Sequence, residues 1–245
     1  MINLDKIYLN NYILSYQNIL NLINYLENNY PNKFKFDKVV CRTNFNYQVN
    51  SYKIGNGKKH VLLIGGTHGC ELITVYFILE FILTLLEDEE LYNKYLDKYT
   101  FHFIPVLNPE GYIISSSNVL ANISEFSLNE LEKFATNYLN CYEQDDYLAL
   151  QGKCLDKKYK KVMKSSINNI PDFNLQKSVK RILKHCNLLE DVLPIWSSNG
   201  MGVDINSNSI HKFKEMKHLR KRQRVGKLRY NDIPVTIPSP LSYPR

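Results

Sequence analysis

His68 and Glu71 stand three residues apart in "LLIGGTHGCELIT", residues 62–74, where a short apolar run ends in Gly65 and Gly66 and a long apolar run begins. An imidazole and a carboxylate at this spacing can converge on one cation, and catalytic zinc takes such nitrogen and oxygen donors while keeping one position for water. Gly65, Gly66 and Gly69 permit the sharp backbone turn that this needs. The spacing also has a plainer reading. Glu71 sits where a helix begins, and a carboxylate there complements the positive end of the helix dipole. The segment alone leaves both readings open.

The elements around these residues decide how they are presented. Residues 13–29 repeat Ile and Leu at helical spacing. "KFKFDKVVC" and "YQVNSYKI" read as strands, the second running into the turn "GNGKK". "HVLLIGG" (60–66) reads as a buried strand, residues 71–88 as a largely buried helix, and "YTFHFIPVL" (99–107) as another inner strand closed by the turn "NPEGY" (108–112). Strand, helix, strand in this order is a parallel crossover, which argues for an α/β layered fold with ligands at the carboxyl ends of strands. Residues 113 to about 195 read as mainly helical, and "WSSNGMGVDINSN" (196–208) as a return to strand and loop, with Val203 and Ile205 flanking Asp204.

"GGTHGCE", "FIPVLNPEGY" and "GVDINSN", in that order, resemble the motifs of zinc carboxypeptidases of the carboxypeptidase A type. That family shows H-x-x-E after a Gly-rich strand end, then N-P-D/E-G, then G-V-D-x-N-R-N. The resemblance covers roughly residues 34–112 and 195–210. It implies a three-layer α/β/α fold around a central mixed, mainly parallel sheet, as a single domain over residues 1–245, incomplete at the C-terminus, with an insertion at about 113–195. It implies Zn2+ as cofactor, with His68 and Glu71 as two of three metal ligands. Asp204 is implied to accept a hydrogen bond from the His68 ring, fixing its tautomer, and Asn206 to help hold the substrate's terminal carboxylate. Asn108, Pro109 and Gly111 shape a turn beside the site, and Cys70 is a packing residue. The implied reaction is hydrolysis of a peptide or peptide-like amide bond next to a C-terminal residue, with peptidoglycan-derived peptides as a substrate class.

The sequence departs from the family twice. Where the family carries an arginine after the asparagine, this chain has Ser207, which cannot grip a carboxylate as a guanidinium does; Lys212 or Lys214 is the candidate substitute. The third zinc ligand, a later histidine, and the general-base glutamate have no convincing counterpart. His102 reads as a packed core residue, His60 lies at the wrong end of its strand, and His185, His211 and His218 lie away from the motifs. Both missing groups are expected beyond Arg245, and the expectation is an N-terminal part of a longer peptidase that alone binds zinc weakly and hydrolyses nothing. Two alternatives share the same residues: an N-acyl amino acid deacylase of the related H-x-x-E group, and a non-catalytic binding module on the same fold.

The bulk properties agree with a packed enzyme-like chain. Of 245 residues, 44% are hydrophobic, enough for a real core. Five cysteines, an odd number without a C-x-x-C pair, argue against a disulfide framework or a cysteine-rich zinc site. Neither a signal peptide nor an apolar run long enough for a membrane span is visible, so the expectation is a soluble, cytoplasmic protein with no membrane partner. Residues 211–229 hold nine basic residues against Glu215 alone, a net +8 of the formal +7, leaving the rest near neutral. No aromatic platform accompanies that run, and it reads as a solvated surface rather than a nucleic-acid site.

Overall fold

A computed structural model describes residues 14–123, 165–186 and 188–206. Helix α1 (Tyr16–Asn29) starts at Ser15, whose hydroxyl accepts the Asn18 N–H at 3.1 Å. That bond satisfies one of the amides every helix start leaves open. Ile19, Leu22, Ile23 and Leu26 form its buried stripe. Strands β1 (Phe34–Arg42), β2 (Gln48–Ile54) and β3 (Lys59–Ile64) follow, then helix α2 (Leu72–Glu87), short helix α3 (Glu89–Tyr95) and strand β4 (Tyr99–Ile104). Asp88 caps α3 by accepting the Leu91 N–H at 2.9 Å, with Glu89 and Glu90 in the first turn and Lys94 in the last, each at the favourable end of the dipole.

The described strands form one mixed sheet in the order β1-β2-β4-β3. β1 with β2 and β2 with β4 are antiparallel; β3 with β4 is parallel, the crossover running through α2. The α/β class and the mixed sheet are therefore present. Phe34, Tyr52, Ile54 and Phe103 join α1 and α2 in one apolar cluster with Tyr112. Successive strand residues point to opposite faces, and Leu62 and Ile64 are exposed on β3. No helix among the described residues is long and apolar enough to cross a membrane.

Beyond the sheet the structure corrects the sequence reading in two places. "NPEGY" is the start of a helix, α4 (Pro109–Ile123), rather than a closing turn. Asn108 accepts the Gly111 N–H through its side chain at 2.9 Å and the Tyr112 N–H through its carbonyl at 2.9 Å, so it caps the helix, and Pro109 occupies the first helical position, where a missing N–H costs nothing. Residues 196–206 form turns, with no strand among them. Ile113 and Ile114 of α4 pack with helix α5 (Phe173–Cys186), the 3-10 turn Glu190–Ile195 and the fully buried Trp196 in a second apolar cluster. The segment "SLNELEKFATNYLNCY", expected to be helical, lies outside the described residues, as does the basic run 211–229.

Candidate metal centre

Three loops meet at the carboxyl end of β3. The parallel ladder continues past the strands: Gly65 N–H donates to the Ile104 carbonyl, Leu107 N–H to Gly65 and Asn108 N–H to Gly66, each at 2.9 Å. Gly66 has φ of 59°, a backbone region that side chains disfavour. Gly69 is closer still to its neighbour, since an added Cβ would lie 2.1 Å from the Gly111 backbone. The loop carrying His68 is thus clamped against the first turn of α4. Asn108 strengthens the clamp, donating to the Thr67 carbonyl at 3.3 Å and the Ser198 carbonyl at 3.1 Å.

The third loop brings Asp204. Asn199 organises it: its side-chain oxygen accepts the Met201 N–H at 3.0 Å and the Val203 N–H at 2.9 Å, and its carbonyl accepts Trp196 Nε1–H at 3.1 Å. Asp204 Oδ1 then lies 3.3 Å from His68 Nε2 and accepts the Asn206 N–H at 3.0 Å. On the other side of the ring, His68 Nδ1 lies 2.9 Å from Glu71 Oε1. Glu71 occupies the cap position of α2 without any side-chain capping bond. Thr74 Oγ1 donates to the Glu71 carbonyl at 2.7 Å and accepts the Gly66 N–H at 2.9 Å, while the Glu71 carboxylate faces His68.

Of the sequence-predicted residues, the structure brings together His68, Glu71 and Asp204. Asn206 is exposed and its backbone joins the group. Ser207, Lys212 and Lys214 lie outside the described residues. The ring between two carboxylates is held protonated well above its usual range, at about 9, mainly by the hydrogen bond to Asp204, against burial, with Glu71 adding to the rise. The Asp204 bond counts for more despite its length because that side chain is 10% exposed and Glu71 is 50% exposed. Cys70 is pushed up to about 11 by burial first and then by the Glu71 charge.

The raised His68 value fixes a pH dependence of stability. The metal-free chain has the full contribution of this pairing below about pH 6.5 and loses it as pH rises through about 9. Asp204→Asn removes the largest support, so His68 titrates lower and the stability loss over that window shrinks. Urea unfolding from pH 6 to 10 with imidazole NMR in parallel checks this; an unchanged profile in the variant would contradict the assignment.

The donor set suits zinc, with one imidazole nitrogen and one carboxylate aimed at each other and the second ring nitrogen tied to an acid. Among the described residues, no group of three or more His, Cys, Asp and Glu side chains is arranged to enclose a metal. Two residues of the neighbourhood escaped the sequence reading. Asn199 had no signal beyond a turn-forming Asn-Gly. Glu110 is wholly buried and accepts backbone N–H groups from Phe45 and Gly200. His102, expected in the core, is half-buried on the sheet, 2.9 Å from His60 and 3.4 Å from Asp37. β1 bulges at Asp37, between the paired residues Phe36 and Lys38.

The family described as zinc carboxypeptidase matches residues 19–169, more than half of the chain, including His68 and Glu71 but ending before Asp204. No curated protein matches. Among solved structures, bovine thrombin-activatable fibrinolysis inhibitor in complex with tick carboxypeptidase inhibitor is 24% identical, with 41% of this chain and 32% of that one covered at a TM-score of 0.37. Carboxypeptidase A from Helicoverpa armigera is 20% identical, with 42% and 26% covered and a TM-score of 0.39. A metallo-carboxypeptidase from Burkholderia cenocepacia is 19% identical, with 39% and 27% covered and a TM-score of 0.35. The matched part is thus a third or less of each of those chains. On the family match, the chain belongs to the zinc carboxypeptidase family.

Proposed function

We propose that this chain supplies part of the active site of a zinc-dependent metallocarboxypeptidase, which hydrolyses a peptide or peptide-like amide bond next to a C-terminal residue. The observation that carries the reading is the two-sided grip on His68, with Nδ1 at Glu71 and Nε2 at Asp204. His68 through Nδ1 and the Glu71 carboxylate would hold the Zn2+. When bound, zinc polarises a substrate carbonyl and lowers the pKa of water. Asp204 keeps Nε2–H engaged, so that Nδ1 presents its lone pair once the ring loses its proton. Gly66 and Gly69 keep the loop low enough for Glu71 to reach the same point. The third ligand and the glutamate that takes a proton from water belong, on this proposal, to residues outside those described.

The substrate class follows the reaction: peptides with a free C-terminus, peptidoglycan-derived peptides among them. With Ser207 where the family has arginine, the carboxylate grip is weaker or is supplied by another basic residue. The test is the full-length zinc-loaded protein, including the later histidine and glutamate, assayed with a peptide bearing a free C-terminus, the same peptide amidated, and an N-acyl amino acid. Release of the last residue from the first substrate alone is expected. Hydrolysis only of the N-acyl amino acid would make it a deacylase, and zinc binding without hydrolysis of any substrate would make it a binding module; either overturns the proposal.

A further inference from the structure

The Glu110 carboxylate has none of its surface exposed. Its Oε1 accepts the Phe45 N–H at 3.1 Å and its Oε2 accepts the Gly200 N–H at 2.8 Å. None of the ion pairs among the described residues includes it. A carboxylate buried without a cation is costly to keep. What it offers in return is two acceptors and no donor on one short arm, which is what two converging backbone N–H groups require.

Those N–H groups belong to two different loops. Phe45 lies in the turn between β1 and β2, closed by the Thr43 N–H to the Tyr47 carbonyl at 2.9 Å. Gly200 lies in the turn organised by Asn199, where the Asn199 N–H donates to the Val203 carbonyl at 2.9 Å. Asp204 follows that turn directly. Glu110 also sits two residues after Asn108, whose side chain holds the Thr67 carbonyl next to His68 and the Ser198 carbonyl next to Asn199. One helix turn therefore grips both the loop that carries His68 and the loop that carries Asp204. Gly200 has no room to compensate, since a Cβ there would meet Glu110 Oε2 at 2.9 Å, Phe45 Cε2 at 2.8 Å and Leu175 Cδ1 at 2.5 Å.

We propose that Glu110 is a positioning residue for the metal centre: by fixing the Gly200 amide it sets the depth of the 199–204 turn, so that Asp204 reaches His68 Nε2 and leaves Nδ1 facing Glu71. The proposal rests on the reading of His68 and Glu71 as zinc ligands, but the Asp204–His68 bond that Glu110 governs exists without metal.

Glu110→Gln tests it, keeping the shape while setting an amide donor against one of the two N–H groups. In the metal-free protein, the His68 Nε2–H proton bonded to Asp204 gives a low-field NMR signal that should move upfield or vanish by exchange in the variant. Zinc affinity, measured by competition with a chelating dye, should fall by about tenfold, the lower end of what loss of an outer supporting group costs. Gly200→Ala presses on the same joint from the other side and should give the same two changes, which keeps the test open if Glu110→Gln fails to fold. Val179→Ala, a truncation inside the second apolar cluster, should lower the melting temperature and leave the His68 signal where it is. A Glu110→Gln protein that loses melting temperature but keeps the His68 signal and the zinc affinity of the parent would overturn the proposal and leave Glu110 a purely structural strut. If the parent protein itself takes up no zinc at His68, the zinc reading fails, and the NMR signal alone still decides whether Glu110 positions the pair.

Discussion

His68→Ala weakens zinc binding by the protein by more than about a hundredfold, beyond the range attributed to losing a supporting group, while the fold survives. The effect is local. His68 supplies the only nitrogen among the described residues that faces the Glu71 carboxylate, and its side chain is 20% exposed, so truncation leaves a small gap at a loop and not a hole in either apolar cluster. Glu71→Gln has the same direction with a smaller effect, because the amide oxygen keeps a weak ligand. Equilibrium dialysis with zinc quantification checks both, and circular dichroism of the variants confirms that they fold. Equal zinc uptake by His68→Ala and the parent would mean that the metal sits elsewhere.

Gly69→Ala acts on the same site through the backbone. The new methyl group would lie 2.1 Å from the carbonyl carbon and oxygen of Gly111. Those atoms belong to the first turn of α4, which Asn108 holds on both sides, so they cannot swing aside as a flexible side chain would. The loop must lift away from α4, and it carries His68 and Glu71 with it. Overpacking of this kind costs about 1–3 kcal/mol, with the upper end expected because backbone meets backbone. Urea denaturation should show that loss together with weakened zinc binding, whereas Cys70→Ala, one residue on, should leave the His68–Glu71 geometry in place. A Gly69→Ala protein with parental stability would show that the three loops are not interlocked as described.

How much of this was legible beforehand depends on the range of the interactions. The helix of residues 72–87, the strand before it and the H-x-x-E placement follow from short-range patterns: apolar runs, glycines and spacing. The start of α4 was also written locally, as Asn108 followed by Pro109, yet the same residues are turn formers, and the Ser115-Ser116-Ser117 run makes a poor helix on propensity. Tertiary partners settle it: Ser115 Oγ donates to the Pro194 carbonyl, and Asn118 Oδ1 accepts the Ser166 N–H at 2.8 Å. Val203 and Ile205 alternate with Asp204 as in a strand, and they are buried as in one, but Asn199 takes up the backbone N–H groups that a neighbouring strand would have used. Strand order and the buried bonds of Glu110 were out of reach, because Phe45 and Gly200 lie 65 and 90 residues from it.

The side-chain direction of Glu71 is something no spacing rule supplies. Thr74 Oγ1 ties the Glu71 carbonyl to the Gly66 amide, and the Glu71 side chain makes no capping bond. The carboxylate faces the imidazole, and Asp204 arrives from 136 residues away to hold the ring from behind. Family membership accounts for the presence of the H-x-x-E pair; the geometry accounts for how it is aimed.

The most direct test is a crystal structure of the zinc-loaded protein with data collected across the zinc absorption edge. One anomalous peak is expected about 2.0–2.1 Å from His68 Nδ1 and from a Glu71 carboxylate oxygen, with His68 Nε2 still bonded to Asp204. A peak on His68 Nε2, or at the His60–His102 pair with none at Glu71, would contradict it.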